Sequence, residues 1–467
     1  MRTVKIGFIP SHRAGFSDDW AAQMRLRCLE QMSQVAGLQV VVPDENITRL
    51  GLVQDLESAH ACLELFRREQ VAGVILGGMT FGNETSAVGG VIANLPAGTP
   101  VLQFATRGAL IGKAGLRASD AWCGQFMLAS ALRRRGIKFA HLSTCFPEEP
   151  LFREQVDRFV RCCIASAGFR GARLGHIGTR PEQFESVWWN EAALQRSFNQ
   201  TVVPIDMDGF FSQVEATPRD DEEVQRIEVE IASGADVSAV PETALNMLAC
   251  YEANLLRLAR DKNLQAMAVN CWRRVQERLG ISVCAVLGRA ADQGLPCACE
   301  VDVYGAASLL AAWLAAKAET SPHFIDWTEL HPTEPDVFLA WHCGNAPPSL
   351  CAFGCWPRLD RHATMPIETS HGALEFRLKE GPVTLCRLVE YEGEFTLFIG
   401  RGEVVNIGPA VRGSSAWVKV KEVLDWERLM VENGIVHHGV LIHDPLAAEA
   451  LRQFCYFNRI RVVNAPE

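Results

Sequence analysis

Apolar residues recur along the first third of the chain in two alternating spacings. Short β-branched runs predict strands, and the stretches between them, such as Asp18–Ala36 and Leu52–Gln70, carry apolar residues at helical spacing. The predicted strands are Val4–Pro10, Leu38–Val42, Val71–Gly78, Pro100–Ala105 and Lys138–Ser143. This alternation predicts a doubly wound parallel sheet, with helices on both faces.

A second strand–helix series follows a long linking helix predicted at Leu151–Ala167. Its longest helices are predicted at Pro241–Lys262 and Tyr304–Ala318. The predicted strands are Arg173–Gly178, Thr201–Asp206, Gln265–Asn270, Ser282–Val286 and Pro296–Val301. The pattern therefore predicts a second α/β domain built like the first.

The rhythm changes after about residue 321, where glycine turns separate runs typical of antiparallel hairpins. These runs are Val337–His342, Val383–Tyr391, Glu394–Ile399 and Ala416–Val420, and a helix and a last strand follow them. We therefore expect three domains: an α/β domain at 1–170, a second α/β domain at 171–320, and a β-rich domain at 321–467.

Length and charge narrow the class of protein. A chain of 467 residues exceeds one hydrophobic core, and 48% hydrophobic with 21% charged residues is an ordinary globular balance. A net charge of −10 argues against a nucleic-acid partner. No apolar run approaches the roughly 20 residues of a membrane helix, and the chain opens on a strand pattern instead of an export signal. We expect a cytoplasmic protein whose 16 cysteines are mostly reduced.

Cysteine and glycine spacings do not match common metal or dinucleotide sites. Zinc sites repeat a Cys-x2–4-Cys pair, whereas Cys351 and Cys355 have no second pair and Cys297 and Cys299 alternate with small residues. The segment Gly175–Gly178 lacks the third glycine of a dinucleotide fingerprint. No nicotinamide cofactor is expected.

Three clusters of polar residues carry candidate chemistry. Glu277 lies on a polar helix, Glu300 and Asp302 are two residues apart at the end of a predicted strand, and His437 and His438 are adjacent. Each has an ordinary alternative: a solvated helix face, a hydrated loop, or surface histidines. Two like charges on one strand face repel unless a cation or protons neutralise them.

Taken together, these clusters suit one kind of reaction. Two carboxylates and an imidazole form a site for Mn²⁺ or Mg²⁺, and a similar set takes Co²⁺ or Zn²⁺. Such a cation can hold two adjacent sugar oxygens and polarise the carbonyl. A carboxylate beside it can move a proton between neighbouring carbons. Aldose–ketose interconversion through an enediol requires these steps.

Several segments, in order and spacing, resemble the L-fucose isomerase family, with the related L-arabinose isomerases behind it. They are Cys-Glu-Val-Asp-Val-Tyr-Gly-Ala from Cys299, Ala340–Pro347, His437–His443, Phe-Ile-Pro-Ser-His-Arg from Phe8 and Phe-Gly-Asn-Glu from Phe81. The likeness covers essentially the whole chain. It implies two α/β domains followed by a β-barrel-like domain, and a homo-oligomer with active sites near subunit contacts. It also implies a divalent metal, foremost Mn²⁺, with Mg²⁺ or Co²⁺ as alternatives.

The resemblance assigns roles to the candidate residues. Glu277 and Asp302 become metal ligands and proton-transfer groups, and Glu300 stays a candidate because the branches differ in which acid of the pair they use. The histidine ligand is His437 or His438, then His342. The chain has Val301 where family members commonly have glycine, which leaves the substrate open.

Three further residues are candidate substrate contacts. Arg13 and Asn83 lie on predicted loops that could reach a sugar, including one in a neighbouring subunit's site, although helix capping and solvation suit them equally. His371 could line the pocket or lie on an exposed loop. The resulting hypothesis is a metal-dependent isomerase of a free deoxyhexose, pentose or related sugar. The alternatives are a non-catalytic carbohydrate sensor on the same scaffold and a sugar epimerase.

Overall fold

The computed structural model describes residues 1–108, 115, 117–364, 370–405 and 407–467. The chain divides into two compact units. The first comprises Met1–Ala167 with Tyr456–Asn458, and the second comprises Gly168–Cys455 with Arg459–Glu467. The predicted boundaries at residues 170 and 320 stay predictions.

The first unit is built on a five-stranded parallel sheet in the order β2-β1-β3-β4-β5. Its strands are Val4–Ser11 (β1), Leu38–Val41 (β2), Gly73–Gly78 (β3), Val101–Ala105 (β4) and Ala140–His141 (β5). Its helices are Asp18–Met32 (α1), Leu56–Glu69 (α2), Ala121–Arg134 (α3) and Pro150–Phe169 (α4). Every residue of β3 and β4 is buried, as expected for central parallel strands covered on both faces.

The second unit begins with a four-stranded parallel sheet in the order β7-β6-β8-β9. The strands are Arg173–Ile177 (β6), Thr201–Ile205 (β7), Ala266–Val269 (β8) and Cys297–Ala298 (β9). The helices are Glu191–Phe198 (α5), Met207–Ala216 (α6), Glu222–Gly234 (α7), Glu242–Lys262 (α8), Arg274–Leu279 (α9), Cys284–Asp292 (α10) and Val303–Ala315 (α11). Strand β7 lies on one side of β6 and β8 on the other, so the order in which strands are added to the sheet reverses at β6. Such sheets commonly bind ligands beyond the strand ends at this point.

One predicted strand of this region is wrong. Residues Ser282–Val286 were expected to be extended, but Cys284–Asp292 forms α10. The segment is buried on every side from Ser282 to Gly288, so its apolar run carries no periodicity that separates a buried strand from a buried helix. The apolar residues continue past a strand's usual length, which is the feature that favours the helix.

The rest of the second unit contains a closed barrel of six antiparallel strands. The order is β16-β11-β10-β17-β14-β15, and pairing of β15 with β16 closes it. The strands are His323–Leu330 (β10), Val337–His342 (β11), Arg358–Arg361 (β12), His371–Arg377 (β13), Gly381–Tyr391 (β14), Glu394–Val404 (β15), Ser414–Lys419 (β16), His438–Ile442 (β17) and Arg461–Asn464 (β18). The helices are Val423–Glu432 (α12) and Ala447–Asn458 (α13). Strands β12 and β13 extend the sheet beside β16, and β18 adds to β15.

Helix α11 joins the second parallel sheet to the barrel. All of its residues are buried, and it contacts β6, β8 and β9 as well as β10, β14 and β17. A helix that is apolar on all sides needs such a fully enclosed position. The predicted fold class, two parallel α/β sheets followed by a β-barrel, is confirmed.

Two predictions made from composition can be compared with the structure. Among the described residues, no helix combines the length and apolar character needed to span a bilayer. Fourteen cysteines carry free thiols, and Cys351 is bonded to Cys355.

Candidate metal centre

The turn between β9 and α11 positions the first two acidic side chains. Glu300 and Val301 have φ angles of 60° and 61°, which are rare for residues with a side chain and rarest for a β-branched one. Asp302 then caps α11, where its Oδ1 accepts the backbone N–H of Gly305 at 2.7 Å. The turn therefore places both carboxylates at the carboxyl end of the second sheet.

Asp302 is fully buried and bound on both oxygens. Arg387 of β14 donates to Oδ2 at 2.5 Å and to Oδ1 at 3.0 Å, and His438 Nδ1 lies 2.8 Å from Oδ2. Burial alone would raise the pKa of Asp302, but Arg387 and His438 hold it far below its usual range. Asp302 is therefore an anion whose hydrogen-bonding capacity is already used within the protein.

His438 is held between two carboxylates. Its Nδ1 donates to Asp302, and its Nε2 lies 3.0 Å from Glu300 Oε2. Burial would lower the pKa of His438, but the two carboxylates raise it to about 9. Burial would raise the pKa of Glu300, but its contacts with His437 and His438 outweigh burial and lower that pKa to about 2. In the neutral form, His438 keeps its hydrogen on Nδ1 and turns the Nε2 lone pair towards Glu300.

Two barrel strands add a third acid and a second buried histidine. Asp326 of β10 is the direct cross-strand partner of His438, and their Oδ1 and Nε2 atoms are 3.7 Å apart. Asp326 Oδ1 and His342 Nε2 are both buried without a hydrogen-bond partner among the described residues. Burial lowers the pKa of His342, and the N–H of Cys343 donates to its Nδ1 at 2.9 Å. Neutral His342 therefore carries its hydrogen on Nε2, facing the cluster.

His437 forms the exposed side of the cluster. Its Nε2 is 3.9 Å from Glu300 Oε2, and its Nδ1 is 3.4 Å from Ser186 Oγ. Phe184 packs against its ring with 5.4 Å between ring centroids, and also against Trp272 at 5.9 Å. The loops that follow β6 and β8 thus form an aromatic wall beside the cluster.

Two overlapping groups of these side chains have the spacing of metal ligands. Glu300, His437 and His438 form one group, and Asp326, His342 and His438 form the other. Within each group the ligand atoms lie within 4.8 Å of one another. His438 is common to both, so the cluster centres on its Nε2.

The other predicted metal and catalytic residues lie in different positions. Glu277 is exposed on α9 and belongs to neither group. Asp302 also belongs to neither group; it contacts His438 of the cluster and pairs with Arg387, which lies outside both groups. The ligand roles predicted for Glu277 and Asp302 stay predictions.

The predicted substrate contacts are also separate from these groups. His371 begins β13 and lines a cavity of about 560 Å³, whose described lining includes neither Glu300 nor His438. Arg361 Nε donates to His371 Nε2 at 3.3 Å.

Arg13 and Asn83 lie together in the first unit. Arg13 donates to Gly82 O at 2.8 Å and pairs with Glu84 at 2.6 Å. Asn83 donates to Gln54 O, and its Oδ1 accepts two backbone N–H groups of the following turn. These bonds explain the local backbone, and substrate contact by either residue stays a prediction.

Asp326 and Arg387 were missed in the sequence. The strand that carries Asp326 reads His-Phe-Ile-Asp-Trp-Thr-Glu-Leu, in which apolar and polar residues do not alternate regularly. Arg387 is the one cationic residue of the long strand β14, and it lies among buried apolar neighbours. A charge in such a strand signals a buried partner, because an unpaired buried charge is very costly.

Comparisons with known proteins agree with this architecture. The N-terminal domain of fucose/sulfoquinovose isomerases matches residues 7–170, and the C-terminal domain of L-fucose isomerase matches residues 341–465. The sulfoquinovose isomerase of Priestia aryabhattai is 21% identical over 422 residues, which is 90% of each chain. That of Alkalicoccus urumqiensis is 24% identical over 307 residues, 65% of this chain and 67% of its own.

The fold, the two domain matches and the relatives define a sugar isomerase, an enzyme that interconverts an aldose and a ketose. The chain belongs to the L-fucose isomerase-like family.

Proposed function

We propose that this enzyme is metal-dependent and isomerises its sugar through an enediol, at the cluster centred on His438. The observation that carries the proposal is the convergence of Glu300 Oε2 and Asp326 Oδ1 on one imidazole nitrogen, His438 Nε2, at 3.0 and 3.7 Å. In the metal-free protein the raised pKa of His438 keeps a proton between these electron-rich atoms, and a divalent cation would take the place of that proton.

The residues present fit a divalent cation. The hydrogen bond from His438 Nδ1 to Asp302 fixes the tautomer and frees Nε2, an arrangement that commonly supports metal-bound histidines. Glu300, His438 and His437 would hold the ion. Because imidazoles accompany the carboxylates, Mn²⁺ or Co²⁺ suits the set better than Mg²⁺. A bound ion would supply Lewis-acid polarisation of the sugar carbonyl.

The protein's own groups would handle protons and orientation. Asp326 Oδ1 is buried and accepts no hydrogen bond from the described residues, so it is available to take a proton from one sugar carbon and return it to the next. His342 Nε2–H can donate to a sugar oxygen beside it. Asp302 would orient His438, because its own oxygens are occupied by Arg387, Gly305 and His438.

The relatives suggest the class of sugar. Those at 21–24% identity are named sulfoquinovose isomerases, so we include sulfoquinovose, a six-carbon sugar with a sulfonate, among the substrates we propose. Neutral deoxyhexoses and pentoses are the other candidates. A cytoplasmic location and a homo-oligomeric assembly stay predictions from the sequence.

A substrate panel tests the proposal. Protein stripped with EDTA should isomerise no sugar, and added Mn²⁺ should restore turnover of at least one aldose. Full activity of rigorously metal-free protein would refute metal dependence. Reaction in deuterated water should place deuterium on the carbon that receives the proton, and product analysis would show whether a ketose or an epimer forms.

A further inference from the structure

Arg273 has an unusual backbone conformation at the carboxyl end of the second sheet. It lies four residues after β8, and its φ of 65° and ψ of −67° match the positive-φ type of γ-turn, which is rare and strained for a residue with a side chain. Such strain persists where surrounding structure enforces it, and it concentrates at functional sites. The strained conformation of Arg273 therefore suggests a functional role for its side chain.

The guanidinium of Arg273 is exposed and has no acidic partner in the described structure. Its neighbours on the same turn and helix are different. Arg274 pairs with Asp208 at 3.2 Å, and Arg278 pairs with Asp208 at 3.0 Å and with Glu215 at 2.8 Å. Within this short segment, Arg273 is therefore the cation left available for an external anion.

A second arginine lies at the end of the adjacent strand. Arg180 follows β6, which pairs with β8, and neighbouring strands lie about 4.8 Å apart. Among the described residues, its guanidinium donates to the carbonyl oxygens of Pro181 and Glu182 alone, and it lies over the Trp188 ring at 5.5 Å. Arg180 and Arg273, which have no carboxylate partner in the described part of the chain, thus follow β6 and β8. The strand order reverses between these two strands, and such sheets commonly bind ligands there.

Buried polar atoms in the loop after β8 also lack partners among the described residues. Trp272 Nε1 and Asn270 Oδ1 are enclosed without a hydrogen bond among the described residues, and Asn270 Nδ2 ties the two loops together by donating to Thr179 O at 2.7 Å. Buried donors and acceptors normally have hydrogen-bond partners, so a ligand with hydroxyl groups would supply the hydrogen bonds that these two atoms lack. Trp272 is also part of the aromatic wall that reaches His437 through Phe184.

We propose that Arg273, with Arg180 on the adjoining loop, binds the anionic terminal group of an acidic sugar whose reacting carbons lie at the His438 cluster. The inference rests on the proposed function and adds the residue that selects the substrate. A guanidinium can donate two parallel hydrogen bonds to a tetrahedral oxyanion, so sulfonate and phosphate share the required chemistry. A neutral sugar offers this arginine no equivalent partner.

The test compares two substrates that differ at one group. Sulfoquinovose and 6-deoxy-D-glucose differ by the sulfonate, and glucose 6-phosphate separates sulfonate from phosphate. R273Q should raise KM for the anionic sugar about 10- to 100-fold, which is the loss expected for charge-assisted hydrogen bonds, and leave kcat/KM for the neutral sugar unchanged. R274Q, the matched control with its own acidic partner, should change neither. Equal effects of R273Q on both sugars, or no effect, would overturn the proposal.

A glycine variant separates charge from backbone strain. Glycine adopts positive φ without strain, so R273G should fold at least as stably as the parent and still lose preference for the anion. Wild-type selectivity retained in R273G would overturn the proposal.

Failure of the inference is distinguishable from failure of the proposed function. If no aldose turns over with any metal, the proposed function fails, and calorimetric binding of sulfoquinovose still tests Arg273. Equal affinity of parent and R273Q, or no binding to the parent, would overturn the inference in that case.

Discussion

Arg387 and Asp302 form a bidentate ion pair in which neither side chain is exposed to solvent, with N–O distances of 2.5 and 3.0 Å. The pair joins barrel strand β14 to the N-cap residue of α11. Because Asp302 also binds His438 Nδ1, its fixed position determines the orientation of the imidazole at the centre of the cluster. Asp302, which was predicted from the sequence as a metal ligand, is thus placed to orient His438, a candidate metal ligand.

Removing the charge of Asp302 should weaken both the fold and the metal site. D302N leaves Arg387 buried without a full counter-charge, which costs about 3–5 kcal/mol in comparable buried pairs. It also loosens His438, and loss of such a supporting group typically lowers metal affinity or activity about 10- to 100-fold. Chemical denaturation and metal titration would measure the two effects.

A second buried pair provides the control for that experiment. Glu252 is fully buried and binds Arg289 at 2.7 and 3.1 Å, and it belongs to neither metal group. E252Q should also reduce the free energy of unfolding, but it should leave metal affinity unchanged. If D302N and E252Q have the same effects, Asp302 has only a structural role.

Substitution of two glutamates distinguishes the cluster from the ligand set predicted by family resemblance. E300Q removes the carboxylate nearest His438 Nε2 and should reduce metal affinity more than 100-fold, beyond the range seen for supporting residues. E277Q changes an exposed residue outside both groups and should leave metal affinity unchanged. Metal binding lost in E277Q and kept in E300Q would show that Glu277 is the ligand.

The raised pKa of His438 predicts how stability of the metal-free protein depends on pH. Its folded pKa of about 9 exceeds the ordinary value of 6.5, so protonation of His438 stabilises the fold fully below pH 6.5. That contribution should be lost as pH rises through 9. Denaturation of EDTA-treated protein at pH 6 and pH 9.5, compared with H438Q, isolates the effect. An identical pH dependence in parent and H438Q would contradict it.

Gly439 should not accept a side chain. A Cβ there would lie 2.2 Å from the Trp327 ring, directly after His438 on β17. G439A should therefore destabilise the protein by about 1–3 kcal/mol, as overpacking does, and lower activity by moving His438. At Gly234 a Cβ meets nothing within 4 Å, so G234A should be neutral or slightly stabilising. Comparable stability of the two variants would refute the packing argument.

Much of the fold could be predicted because local patterns determine it. Buried parallel strands such as Gly73–Gly78 appear as short apolar runs between amphipathic helices. Closure of the barrel could not be predicted in the same way, because it depends on the pairing of β15 with β16. The local sequence of a strand does not show which other strand it pairs with. Ser282–Val286 failed for a related reason: burial on all sides removes periodicity.

The candidate site was predictable only in part. The motifs around Glu300, Asp302 and the adjacent histidines identified the residues that meet at α11 and β17. Whether an acid of the Glu-x-Asp motif faces a metal or a buried arginine depends on Arg387, which is 85 residues away from Asp302. The spacing within the motif gives no information about that partner. Asp326 enters through antiparallel register with His438, which is a property of the barrel.

The most direct test of the account is anomalous diffraction at the manganese edge from crystals of Mn²⁺-loaded protein. We expect one strong peak within bonding distance of Glu300 and His438 Nε2, with Asp302 still bound to Arg387. A peak coordinated by Glu277 and Asp302, or no ordered metal in an active enzyme, would contradict it.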